Sequence, residues 1–132
     1  MTKHLITYFV ILASFVLIDM VWLMGVARST YMAEMGSLLR KQPNLFAALV
    51  FYILYAAGIW FFAVRGSEGQ TVLSTVGIGA ALGLVAYGTY DLTNLSVMEG
   101  FNIRIAMIDL AWGTCVTAMA TAIAVLTLRA LP

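Results

Sequence analysis

Long apolar runs alternate with short polar breaks along the whole chain. At about 20 apolar residues per bilayer crossing, the runs predict four spans, at residues 5–27, 44–64, 71–98 and 102–128. The break between the second and third, Arg65-Gly66-Ser67-Glu68-Gly69-Gln70, is short, polar and glycine-rich, which is turn chemistry. The next, Glu99-Gly100-Phe101, is shorter still. Links this short set consecutive helices antiparallel. The expected fold is all-α: an integral membrane four-helix bundle over residues 1–132, with a short interfacial segment between the first two spans.

That segment, Arg28 to Pro43, has its own pattern. Tyr31, Met32, Met35, Leu38 and Leu39 recur at helical spacing, with Arg28, Glu34, Arg40 and Lys41 between them. A short helix lying in the interface, its basic groups toward lipid head groups, fits this pattern. An ordinary amphipathic connector fits it equally. Inside the bundle, Gly79-Ala80-Ala81-Leu82-Gly83 is a GxxxG phrase, and Gly113, Thr117 and Thr121 form a row on the fourth span. Small residues at such spacing predict a seam where two backbones approach closely.

Composition agrees with the pattern. Of 132 residues, 63% are hydrophobic and 10% charged, against about 25% charged in soluble domains. A net charge of +1 leaves no basic footprint for nucleic acid. Cys115 is the lone cysteine, so an intrachain disulfide and a cysteine metal cage are excluded, and it reads as a small buried hydrophobe. Lys3 and the Gly25-Val26-Ala27 phrase loosely resemble a signal peptide. The run from Leu5 to Ala27 exceeds the roughly 7–15 residues of such a segment, and is read as a retained span. Lys3, Arg65 and Arg129 fall on one side, and Arg28, Arg40, Lys41 and Arg104 on the other. That split supports no orientation by the positive-inside rule.

Against this background stand three acids within the spans: Asp19, Asp91 and Asp109. Each costs about 2.5–3.5 kcal/mol at membrane depth, which makes a functional site the first reading. Alternating spans and a 1.5 Å rise per residue put all three roughly 8–15 Å below the same face. Other polar and aromatic groups share the layer: Tyr87, Asp91 and Asn94 on one stripe of the third span, with Thr93 beside them, and Tyr52 and Tyr55 on the second. Trp22 and Trp112 each follow an Asp by three residues, in the repeated phrase Ile-Asp-x-x-Trp. The expectation is a cavity open toward the first and third loops, floored by carboxylates and walled by Trp and Tyr. Arg104, about one and a half turns from Asp109, is the one nearby cation. The alternative is helix glue, each Asp accepting hydrogen bonds from indole, phenol or amide. The repeated phrase on antiparallel spans would imply inverted symmetry if it arose by duplication.

Other chemistry is absent. His4 is the only histidine, so bis-histidine haem and histidine metal sites are excluded. No GxSxG, P-loop or dinucleotide fingerprint appears, and no motif names a cofactor. Binding of a hard cation by Asp alone stays open. Three functions follow. The leading one is transport or binding of a small cationic or polar ligand, or of protons, at the Asp/Trp/Tyr pocket, with Trp22 and Trp112 offering aromatic faces. One bundle of this size is thin for a complete alternating-access path, so a homodimer is expected. The second is a membrane enzyme acting on a lipid-linked substrate through an Asp acid/base pair. The third is an accessory or structural subunit of a membrane complex.

At Asp19-x-x-Trp22-Leu23, Phe51-Tyr52-x-x-Tyr55, Tyr87-Gly88-Thr89-Tyr90-Asp91-Leu92-Thr93-Asn94 and Asp109-x-x-Trp112-Gly113, the chain resembles a family of small bacterial membrane proteins known as domain of unknown function 2177. The resemblance implies a multi-pass, four-span fold in the bacterial inner membrane, in contact with the lipid bilayer. It carries no activity. The chain departs from the family at Glu99-Gly100-Phe101-Asn102, where a Trp is expected just before the last span. That bears on the shape of one turn.

Overall fold

Four helices, each long and apolar enough to cross a membrane, pack together in the computed structural model, which describes residues 1–36 and 38–132. Helix α1 (Thr2–Val21) continues as a π-helical turn, Trp22–Val26, and leads into the short α2 (Arg28–Met35). Helix α3 (Leu45–Gly58) likewise widens into a π-helical stretch, Ile59–Val64, and ends in a 3₁₀ turn, Arg65–Ser67. Helices α4 (Val72–Val97) and α5 (Ile103–Ala130) complete the chain.

The helix starts are written in the sequence. Asn44, Thr71 and Asn102 each accept a hydrogen bond from the backbone N–H three residues on, at 3.1, 3.2 and 3.1 Å, the usual N-cap arrangement. The two tight links turn on Gly69 (φ 85°) and Gly100 (φ 88°), where a side chain would be strained. Phe101 follows, buried against Ile105 and Ala106 with Tyr31, Met35 and Leu95 around it. The turn that lacks the expected Trp is therefore filled by Phe101, which meets Tyr90 edge-on at 6.1 Å.

Burial explains the packing. On α1 the buried residues are Thr7, Ile11, Phe15 and Asp19, one stripe at four-residue spacing. Leu5, Phe9, Leu17 and Val21 are exposed on its outer side, as a lipid-facing surface demands. Asp19 thus continues a core stripe. Helix α5 has the longest buried face, including Gly113, Val116, Thr117, Ala120, Thr121 and Ala124. It runs antiparallel to α1, with Lys3 Nζ donating to the Leu131 carbonyl at 3.3 Å. Cys115 lies on the exposed side of α5, not in the core as expected, because it falls outside that buried row.

The α4–α5 interface is the seam expected from small residues. A Cβ added at Gly79 would lie 2.2 Å from Thr121 Oγ1, and one at Gly83 would lie 2.5 Å from the Gly113 carbonyl oxygen. Both are closer than any real contact. The glycines are the condition for this backbone approach. The Leu45–Gly58 part of α3 makes no such interface with α4, and the two helices meet through Ile59–Val64. They diverge toward the α2 side.

This generates a stability prediction. Gly83→Val must push against backbone, and should cost about 1–3 kcal/mol, the usual penalty of overpacking. Gly77→Ala, where an added Cβ meets nothing within 4 Å, should be neutral or mildly stabilising. Unfolding titrations of the two variants in mixed detergent micelles test this. Equal midpoints would mean that the seam does not hold the helices.

Candidate functional site

The acidic layer forms where the α1, α4 and α5 stripes converge, and α2 lies over it. Asp19 is 6% exposed, and both of its oxygens are satisfied. Tyr52 of α3 donates to Oδ2 at 2.7 Å, and Trp112 of α5 donates through Nε1 to Oδ1 at 2.9 Å. One carboxylate thereby joins three helices. Asp109 is half-buried and accepts at Oδ1 from the Tyr31 hydroxyl of α2 at 2.5 Å. Trp22 Nε1 reaches the same hydroxyl at 3.5 Å. Asp91 is fully buried, with no donor on either oxygen among the described residues. The Asp109 carboxyl is its acidic neighbour on α5.

A cavity of about 430 Å³ opens beside the layer. Asp19 and Asp109 line it together with Phe51, Tyr55, Tyr87, Tyr90 and Trp112, with Leu23 and Ala86 completing the lining. The rings are held from behind. Tyr55 shares a hydrogen bond with Thr117 Oγ1 at 2.8 Å and stacks on Phe51 at 5.4 Å. Tyr87 lies against Gly113, where an added Cβ would come within 2.0 Å of the ring. Phe51 on α3 and Tyr90 on α4 remain 42% and 54% exposed. The mouth is therefore the gap between these diverging helices.

Not every expected residue lines the cavity. Trp22 is stacked on Trp112, centroids 4.3 Å apart and planes 6° apart, so each ring has one face covered by the other. Tyr52 reaches Asp19 from outside the cavity, and Asp91 lies behind Asp109. Asn94 is half-buried but not in the lining. Thr93 faces away, its hydroxyl bonded to the carbonyls of Thr89 and Tyr90, because it sits one position off the Tyr87–Asp91–Asn94 stripe. Arg104 does not balance Asp109 as expected: its Nη1 bonds Glu34 Oε1 at 2.9 Å, and Asn102 Nδ2 bonds Glu34 Oε2 at 2.8 Å. Glu34 captures it because α2 folds over this end of α5. The first loop thus covers the carboxylates it was expected to leave open.

Tyr31, Glu34, Leu23, Phe51, Ala86 and Tyr90 were not among the expected site residues. For Tyr31 the sequence held a usable signal, since it stands on the same face of the connector as Met35. Among the described residues, no group of three or more His, Cys, Asp or Glu is arranged to hold a metal ion.

The family described as "Predicted membrane protein (DUF2177)" matches residues 4–126, and the chain belongs to it. No curated protein and no solved structure matches the chain.

The Tyr31 hydroxyl is held above its ordinary value of 10.0, first by burial and then by its bond to Asp109. A raised folded value means that the contribution to stability is whole below the unfolded value and is lost as pH rises through the folded one. Tyr31 should therefore ionise after exposed tyrosines in an alkaline difference titration, and stability should fall above about pH 10. Tyr31→Phe should remove that late step. If it leaves the titration unchanged, the hydroxyl does not serve Asp109.

Proposed function

We propose that the cavity binds a small amphiphilic organic cation within the membrane. The observation that carries this reading is a charge imbalance. Asp19 and Asp109 line an aromatic cavity, and the nearest basic group expected for them, Arg104, is paired with Glu34. Asp19 is held by two neutral donors, which orient a carboxylate without cancelling its charge. Asp109 is partly accessible from the cavity. A ligand cation would supply the missing charge, and the faces of Tyr55, Tyr87 and Tyr90 would receive it through their ring quadrupoles.

The location of the mouth refines the ligand class. The gap between α3 and α4 lies along the spans, so an apolar body can enter from the side while its charged centre travels to Asp109. A ligand with one cationic centre on an aliphatic or aromatic body fits this lining. Transport would require access from both faces of the membrane. The cavity supports binding directly, and movement follows only if the covering α2 and the Tyr31–Asp109 bond can open.

Benzyltrimethylammonium and its neutral isostere neopentylbenzene separate charge from hydrophobicity. In titration calorimetry of the purified protein, the cation should bind and the isostere bind at least tenfold more weakly. Asp109→Asn should weaken the cation by about ten- to hundredfold, the range set by losing one charged partner worth about 1.5–3 kcal/mol. Arg104→Gln, which breaks a pair whose Arg side chain is 69% exposed, should change binding less than threefold. Equal affinity for cation and isostere would overturn the proposal.

A further inference from the structure

Asp91 poses a problem that the cation site does not solve. An ionised carboxylate only accepts hydrogen bonds. Both oxygens of Asp91 are sealed from water and have no donor among the described residues. Tyr52 and Trp112 serve Asp19, Tyr31 serves Asp109 and Tyr55 bonds Thr117, and none of Tyr87, Tyr90 and Asn94 donates to Asp91. A buried, unpaired carboxylate is among the most costly arrangements a fold can hold. With no opening to its oxygens, a cation of ordinary size does not reach it. A proton does.

The position of that proton follows from the neighbours. Two neighbouring carboxylates repel, whereas a carboxyl and a carboxylate form a strong bond. Asp109 already accepts from Tyr31 at Oδ1, which favours its charged form and leaves its other oxygen free. Asp91 has no such donor. We propose that Asp91 and Asp109 hold one proton as a carboxyl–carboxylate pair, with Asp91 the bearer.

The groups that act on this equilibrium come from every helix around it. The charge of Asp109 on α5 acts on Asp91. Tyr31 of α2 and Tyr90 of α4 lie within electrostatic reach of both acids. Asp19 of α1 acts on Asp109, with Tyr52 of α3 bonded behind it. The Arg104–Glu34 pair stands above as an internally neutral unit.

The shared proton stands on the geometry of Asp91 and is independent of the cation reading. Infrared spectra of the protein in lipid, at neutral pH without ligand, decide the proton. A protonated carboxyl band is expected in the wild type and in Asp19→Asn, and should be absent in Asp91→Asn. Asp109→Asn should keep the band at a shifted frequency, because its carboxyl partner is gone. No band in the wild type, or a band unchanged in Asp91→Asn, overturns the pair.

Discussion

The cost of placing a carboxylate at membrane depth governs the architecture around it. Each acid in the layer must be given donors, a counter-charge or a proton, and the three receive different solutions. Asp19 is saturated by a phenol from α3 and an indole from α5, so its satisfaction requires three helices in register. Asp109 takes a phenol from α2, which fixes the connector over the end of the bundle. Asp91 takes nothing from the described residues. The polar contacts are thus both the glue that the bland reading expected and the walls of a cavity.

The glycines make those contacts reachable. At the α4–α5 seam the absence of side chains at Gly79 and Gly83 lets Thr121 and Thr117 approach the opposing backbone. The same closeness at Gly113 seats the Tyr87 ring and brings Asp91 to Asp109. Van der Waals packing of small residues replaces the hydrophobic effect between spans. A seam widened by one methyl group would displace the cavity wall as well as the interface. Stability and site geometry are therefore set by the same residues.

Much of this was legible because it depends on periodicity. Span lengths, the span starts at 44, 71 and 102, the glycine seam and the common depth of three acids all follow from the pattern along regular helices. The misplacements arise where regular spacing stops. The π-helical turn Trp22–Val26 closes with an Ala27 N–H to Trp22 carbonyl bond at 2.8 Å, and Ala27 then starts α2. This turn lays α2 back across the layer, and no apolar period announces it. Arg104 was assigned to Asp109 by proximity along one helix, but Glu34 comes from a segment whose direction was invisible. Thr93 was included as a neighbour in sequence, although one position rotates a helical side chain by about 100°.

The repeated Ile-Asp-x-x-Trp phrase gains its meaning from the antiparallel pairing of α1 and α5. Each Trp lies one turn from its own Asp and beside the acid of the other helix. Trp112 serves Asp19 directly, and Trp22 serves Asp109 through Tyr31. The two indoles stack where the paths cross. Tyr52 and Tyr31 occupy matching places, each donating to one carboxylate. The two sides nevertheless differ. On the Asp19 side the indole bonds the acid itself, so both oxygens are filled. On the Asp109 side the tyrosine stands between indole and acid, and among the described residues only Oδ1 receives a bond. The asymmetry leaves Asp109 with one donor where Asp19 has two, beside the cavity that both acids line.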